Sequence, residues 1–549
     1  MENCKTEFQL DLIQQEKNIS TNQTMMLIKH PTVYGEGTAE TRVPRALLTN
    51  TSKLSEKLVE AGAPIIENLK SEAIRLSNLK DRPTIKTTDL GDWHGDTLVT
   101  RHGVFTEEGA DCSADVYQFN ADNPLFCPAK EKGTYAAYMR GLKQPLAYSR
   151  YLQFITAVAL AAPLGAFLGR EGGPAFNLSG KSSRGKTLSL LTNLSIVTEP
   201  TEASLLSLAS TPTFFINSQM SFRGTSVAFS DMKTFMGSKE ALFDVLRLII
   251  FNNHDRPTRH TALSSNVRET GFSIPLFSSE SPLKVMFDSK KFALEGGELV
   301  RLIDIPVPGD TGIFDKIPHG KEVSPSELAS TVSAVIKENY GHCLPFWIDY
   351  LVTNGRDDLK TRVEKMESKF LEKVSRNANK NGRPLQQEEY RIAKSFALVA
   401  AAGFLAAEGK ILPIDRKVIG GSIVCLFQRS INSMRSPEDV LRERIESFKR
   451  FATCSGNFPF VERGVEVQAK DVPNGFLRSD DGQTFLFVYP DAMNGFHGGD
   501  EIIKDRIYRY FRAKGALIKK QPDEWTVPVQ QKGLGKVRML KFVLSRIGD

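Results

Sequence analysis

A chain of 549 residues with 41% hydrophobic, 25% charged and 9% aromatic content holds material for roughly three or four domains and excludes wholesale disorder. Its formal charge of +7 is only a mild lean towards anionic partners such as nucleic acid. The six cysteines, Cys4, Cys112, Cys127, Cys343, Cys425 and Cys454, form no C-x-x-C pair, which argues against zinc-ribbon and redox readings and fits a reducing, cytoplasmic setting.

The N-terminal "MENCKTEFQLDLIQQEK" is polar and acidic where a signal peptide would be basic and then apolar. Residues 1–145 read as an N-terminal α+β domain. A helical stretch, "SKLSEKLVEAGAPIIENLKSEAIRLSNL", is followed by "TTDLGDWHGDTLVTRHGVFT", whose alternation predicts short strands and a hairpin. Trp93 and His94 stand out in it and fit core packing and a turn better than a ligand site. The apolar "YLQFITAVALAAPLGAFLG" carries Gln153, Thr156 and Pro163 and is expected to be a buried core helix rather than a membrane span. No membrane association is expected.

Residues 146–325 alternate helix and short apolar runs ("TFFIN", "SVAFS", "HTALSS", "VRLIDIPV"), the pattern of an α/β fold with a covered, largely parallel sheet. Residues 326–455 are helix-rich, and "YRIAKSFALVAAAGFLAAEG" reads as a buried helix with a C-cap at Gly409. Residues 456–549 return to α+β. No internal repeat is present.

Within the second segment, Gly180-Lys181-Ser182-Ser183-Arg184-Gly185-Lys186-Thr187 satisfies G-x-x-x-x-G-K-[ST] at every fixed position. The preceding "PAFNLS" can be a strand and the following "KTLSLLTNLSIV" a helix. In that setting the glycines let backbone N–H groups turn inward around the phosphates of ATP, and the helix start through Leu188 adds its positive dipole end. Lys186 would reach the β- and γ-phosphates, and the Thr187 hydroxyl would coordinate Mg²⁺.

Hydrolysis also needs a carboxylate on a neighbouring strand, usually a second beside it to orient water, and a cationic group. "TSVAFSDMKTF" offers one acidic residue. Either Asp231 holds the metal and Met232 stands in the glutamate's place, or Ser230 takes the metal position and Asp231 activates water. The bland alternative is that Asp231 caps the next helix. In "RHTALSSNVRET", Ser265 or Asn266 could sense the γ-phosphate. Arg268 and Arg301 are candidates for the cationic finger.

Taken in order, "LAAPLGAFLGREGGPAFNLSGKSSRGKT", "IIFNNHDRPTRH", "LSSNVRET", "GGELVRLIDIPVPGDTGIFDKI", "RIAKSFALVAAAGFLAAEG", "FVYPDAMNGF" and "YRYFRAKGALIKK" resemble a family of P-loop ATPases carried by phages, plasmids and chromosomal islands. That family, long catalogued as a domain of unknown function, includes self-loading replicative helicases of staphylococcal cassette elements. The resemblance runs from about Asp89 to the C-terminus. It implies an AAA+-like ATPase core with a helical lid, assembled as a ring, a hexamer by expectation, in which Arg301 or Arg268 completes a neighbour's site and Arg391 senses nucleotide. "FSDM" departs from the family's usual paired acidic residues, which puts vigorous hydrolysis in doubt.

Near the end, Ile503, Ile507, Tyr510 and Phe511 give a helix an apolar face while Lys504, Arg506, Arg509 and Arg512 lie on the others. "ALIKK", "TVPVQ" and "RMLKFVL" then suggest a hairpin with a basic tip at Lys532, Lys536 and Arg538. Such a winged-helix-like module would contact DNA, single-stranded or forked, through its phosphates. The leading expectation is a cytoplasmic ATP-dependent DNA motor of a mobile genetic element, a ring-forming replicative helicase or helicase loader. The alternative is a nucleotide-switched DNA- or protein-binding regulator, for example in phage defence, with little turnover. A small-molecule kinase is disfavoured, since no second acidic substrate site accompanies the phosphate loop.

Overall fold

The computed structural model describes residues 9–19, 21–33, 37–79, 84–107, 117–209, 211, 214, 219–235, 237–252, 271–287, 300–318, 323–380, 383–434, 437–454, 456–480, 482–497, 501–518 and 524–548. It is a mixed α/β architecture that divides into two compact units, Met1–Ser433 and Met434–Asp549.

In the first unit, β1 (Asp11–Asn18), β2 (Thr24–Pro31) and β3 (Thr38–Pro44) form an antiparallel meander. Strands β4 (Thr84–Thr88) and β8 (Tyr117–Phe119) extend it in parallel, giving the order β3-β2-β1-β4-β8. The stretch read as helical is two helices, α1 (Thr51–Glu60) and α2 (Leu69–Asn78). Gly62, at φ 88°, and Pro64 separate them. Their apolar faces close a core of Leu12, Met26, Ile28, Leu54, Leu58 and Leu76.

Three short strands, β5 (Asp92–His94), β6 (Thr97–Thr100) and β7 (Gly103–Phe105), form the expected hairpin and one further pairing. The Trp93 indole N–H donates to the Pro163 carbonyl at 3.0 Å, and its ring lies 4.6 Å from that of Phe167. The His94 ring stacks on Tyr117. Both residues pack, as the sequence suggested.

Helix α3 (Tyr135–Ala147) leads into α4 (Arg150–Phe167), which is started by Ser149, whose Oγ accepts from the Leu152 N–H at 2.9 Å. From Tyr151 to Phe167 every α4 residue is buried. The helix can be apolar on all faces because protein surrounds it. Around it pack α5 (Lys186–Leu194), α8 (Cys343–Asn354), α10 (Gln387–Glu408) and α11 (Arg416–Ser433). Phe154 of α4, Phe176, Phe396 of α10 and Phe427 of α11 form one aromatic cluster, with successive centroids 5.0 to 5.6 Å apart. Further long helices among the described residues of this unit are α6 (Lys239–Asn252), α7 (Pro325–Glu338) and α9 (Arg356–Lys380).

The sheet that α4 backs is wholly parallel: β10 (Ser226–Ala228), β11 (Ile274–Ser279), β9 (Ala175–Ser179) and β12 (Leu302–Pro306), in that spatial order. Three of these strands match expected apolar runs. The fourth, β11, sits between the two that matter most and was not foreseen, because Pro275 argues against an interior strand. Its pairing with β9 begins only at Leu276 opposite Phe176, so the missing N–H of Pro275 falls outside that ladder. On the other side, Ile274 donates to Thr225 and Leu276 accepts from Phe229. The runs "TFFIN", apart from Phe214, and "HTALSS" lie outside the described residues.

The second unit is an antiparallel sheet, β13 (Gly475–Asp480), β14 (Gln483–Val488), β17 (Gly535–Val543) and β15 (Leu517–Ile518), with β16 (Val527–Gln531) pairing β17. Helices α12 (Pro437–Thr453) and α13 (Glu501–Ala513) cover it, Phe448 and Phe511 packing on Phe542 of β17, with Ile507 and Tyr508 in the same core. The expected helix and hairpin are both present. In the hairpin, Lys532, Lys536 and Arg538 are all exposed; Lys532 lies 3.7 Å from the Glu466 carboxylate and Arg538 is ion-paired with Glu524.

Candidate functional site

The loop 180–185 leaves the carboxyl end of β9 and enters α5 at Lys186. Three of its residues have positive φ: Gly180 at 150°, Ser183 at 58° and Gly185 at 85°. A β-carbon on Gly185 would lie 2.7 Å from Ile313 Cδ1, and one on Gly180 would lie 2.8 Å from the Val307 carbonyl oxygen. Glycine is therefore required at both places for conformation and for space. Ser183 holds its left-handed conformation with a side chain, a local strain of the kind that collects at binding loops.

Lys186 is 5% exposed. Its ammonium donates to the Gly180 carbonyl at 2.7 Å and to the Lys181 carbonyl at 2.9 Å, which holds it across the inside of the loop. Burial lowers its pKa below the ordinary value; the Asp231 and Glu280 carboxylates oppose that shift and the Lys233 ammonium reinforces it. Gly185 gives α5 no side-chain cap, so the N–H groups of Lys186, Thr187 and Leu188 have no partner within the helix. This is the arrangement in which a helix start receives an anion. Thr187 is half-buried in the first turn, while Lys181, Ser182 and Ser183 are exposed on the rim.

Asp231 follows β10 by three residues, beyond Phe229, whose N–H donates to Leu276 at 2.9 Å. Its carboxylate accepts the Lys233 N–H at 2.9 Å and caps the single turn Met232–Thr234. It therefore has the capping role weighed from the sequence while also lying close enough to influence Lys186. Among the described residues no group of three or more His, Cys, Asp or Glu side chains could hold a metal. Thr187 and Asp231 supply a hydroxyl and one carboxylate, hard oxygen donors that fit a magnesium ion sharing its shell with phosphates and water.

Arg301 immediately precedes β12, and its carbonyl accepts from Ala175, the first residue of β9, at 2.7 Å. It thus sits at the end of the sheet opposite the loop of its own chain. Arg391 is exposed on the first turns of α10. Ser265, Asn266 and Arg268 lie outside the described residues.

Three features escaped the sequence reading. Segment 307–315 wraps the loop: the Ile313 N–H donates to Arg184 at 3.1 Å and the Ser149 hydroxyl donates to Ile313 at 2.6 Å. At its end, Asp315 takes Arg150 of α4 at 2.9 Å and Arg429 of α11 at 2.6 Å on one buried carboxylate. The second feature is a polar layer under the loop. Asn177 Nδ2 donates to Ser279 Oγ at 2.8 Å and to Asp304 Oδ1 at 2.7 Å, and Ser179 Oγ donates to Asp304 Oδ2 at 3.0 Å. Burial pushes the Asp304 carboxyl up to about 7, against the pull of Asn177, Ser179 and the Leu283 N–H. The third is Glu280, at the tip of β11.

Residues 4–230 match a family model described as "Domain of unknown function (DUF927)". This region begins well before Asp89 and takes in the N-terminal sheet. No curated protein matches the chain. A solved structure described as "SCCmec type IV Cch - active helicase" superposes with a TM-score of 0.55 at 14% identity, covering 98% of this chain and 95% of that one. The likeness is one of fold, and it agrees at that level with the resemblance read from the motifs.

Proposed function

We propose that the chain is an ATP-dependent DNA motor of a mobile genetic element, a ring-forming replicative helicase or helicase loader. In this reading residues 180–188 cradle the phosphates, Lys186 meets the β- and γ-phosphates, and Thr187 and Asp231 hold magnesium, which neutralises phosphate charge when bound. The parallel sheet with its helices is an AAA+-like core, the helices from 326 onward are its lid, and the C-terminal unit is a winged-helix-like module that contacts DNA phosphates. Arg301, at the far end of the sheet from its own loop, suits a role in trans at a neighbouring subunit, as would Arg268. Arg391 would sense nucleotide from the lid, and Asn266 the γ-phosphate.

The observation that carries the reading is the Lys186 ammonium held across a loop with three positive-φ residues, in a chain whose fold is similar to nearly the whole of a solved structure described as an active helicase. The test is steady-state ATP hydrolysis by the full chain with and without single-stranded DNA, using Lys186→Ala as the blank. DNA-stimulated turnover that disappears in the variant supports the motor. Tight, Lys186-dependent ATP binding without turnover would instead leave a nucleotide-switched regulator, a reading favoured by the Asp231 carboxylate being engaged as a cap.

A further inference from the structure

The sequence lacks a second carboxylate beside Asp231, and the sheet order supplies one from a different strand. Strand β11 lies between β9, which ends in the phosphate loop, and β10, which ends towards Asp231. Its register sets Ser279 opposite Ser179, and the Gly180 N–H donates to the Ser279 carbonyl at 3.1 Å. Glu280 therefore leaves the sheet level with the first residue of the loop, on the edge of the site that faces Asp231.

The turn carrying Glu280 is fixed from below. Ser279 Oγ accepts from Asn177 and donates to the Ser281 carbonyl at 2.7 Å, and the Leu283 N–H donates to the buried Asp304 carboxylate. The Glu280 side chain is exposed at this anchored turn and is ion-paired with the exposed Lys233 at 3.1 Å. Lys233 in turn gives its backbone N–H to Asp231. The two carboxylates thus share one lysine, and both act electrostatically on Lys186. An ordinary surface glutamate would have neither the anchored backbone nor the common partner.

Building on the ATPase reading above, we infer that Glu280 is the second carboxylate of the site, the group that orients and deprotonates the attacking water. In the step, the oxygen of water forms a bond to the γ-phosphorus of ATP while the bond from that phosphorus to the β,γ-bridging oxygen breaks. The water's proton passes to the Glu280 carboxylate, the bridging oxygen leaves on ADP with the bonding pair, and inorganic phosphate is released. For Glu280 to meet the water, its ion pair with Lys233 at 3.1 Å is exchanged for a hydrogen bond from the bound water. The second acidic residue missing from "FSDM" is then relocated rather than lost.

The experiment compares full-length wild type, Glu280→Gln, Glu280→Asp and Lys186→Ala in ATP turnover with single-stranded DNA, alongside titration with a fluorescent ATP analogue. General-base removal predicts a fall in kcat of roughly a hundredfold or more in Glu280→Gln with unchanged affinity for the analogue, and an intermediate rate in Glu280→Asp. Turnover of Glu280→Gln within about threefold of wild type would overturn the inference, since a positioned base contributes far more than that. Loss of analogue binding along with turnover would also overturn it, by assigning Glu280 a structural role. If the wild type itself shows no Lys186-dependent hydrolysis, the motor reading fails and this inference with it, an outcome distinct from failure of Glu280 alone.

Discussion

Titration of Asp304 should tilt the stability of the first unit against pH. Burial raises its carboxyl from an ordinary 3.8 to about 7, so between these values the folded protein binds a proton that the unfolded chain releases. The stabilisation is fully present below the unfolded value and is lost as pH rises through the folded one. The total is about 4 kcal/mol for a shift of this size, of which roughly 2.5 kcal/mol is lost between pH 5 and pH 8. Carboxylates held below their ordinary value, such as Glu72, slope the opposite way and buried Asp92 the same way, so the informative quantity is the difference between wild type and Asp304→Asn. An amide there can donate to Ser179 Oγ, as the protonated acid would, while its carbonyl accepts from Asn177. Urea unfolding followed by tryptophan emission, with Trp525→Phe as background so that Trp93 and Trp347 report on the first unit, should show Asp304→Asn gaining on wild type by that amount across the interval. Parallel pH profiles for the two proteins would refute the claim that the ionised form is held at a cost beneath the loop.

Gly185→Ala should abolish nucleotide binding while leaving the chain folded, because a left-handed alanine costs about 1–2 kcal/mol before the contact with Ile313 is counted; calorimetric titration with ATP reads it. Asp315→Ala leaves Arg150 and Arg429 together without their shared carboxylate and should lower the stability of the first unit by about 3 kcal/mol, visible as a reduced urea midpoint. In the second unit, Lys532→Ala with Lys536→Ala should weaken DNA binding and reduce the magnitude of its log–log salt slope by roughly 1–2, as expected for two lost phosphate contacts. Arg538→Ala should matter less, since its guanidinium is held by both Glu524 and the Thr526 hydroxyl, whereas Lys532 meets Glu466 only at 3.7 Å.

What the sequence disclosed follows from how local each signal is. The phosphate loop was legible because its chemistry demands fixed glycines and a lysine within eight consecutive residues, and the strand before it and helix after it are short-range features. Helix α4 was legible as buried because it carries Gln153, Thr156 and Pro163 yet feeds a loop motif. The Gln153 amide and the Thr156 hydroxyl do find carbonyl partners inside the protein. Strand β11 was hidden by Pro275, whose tolerance depends on where its partner's ladder begins, a fact of tertiary register. Glu280 and Asp304 were hidden for a related reason: neither is near the loop in sequence, and only the strand order places them around it. Segment 307–315 carried a usable hint, the turn residues "VPGDTGIF" directly after an apolar strand, which could have marked it as a wrapping loop.

The all-round burial of α4 bears on how the protein is made. During synthesis this helix leaves the ribosome before α8, α10 and α11, which cover it and end only at Ser433. Until they arrive, an 18-residue helix with the hydropathy of a membrane anchor has only α3, α5 and the sheet to cover it, the kind of transient exposure that invites chaperones or mistaken delivery to a bilayer. The same geometry makes a fragment cut at residue 325, where the sequence suggests a domain edge, a poor laboratory surrogate: it would keep the nucleotide loop but strip the cover from the helix behind it. Expression trials of a 1–325 fragment against 1–433 should find the shorter piece in inclusion bodies and the longer one in the supernatant.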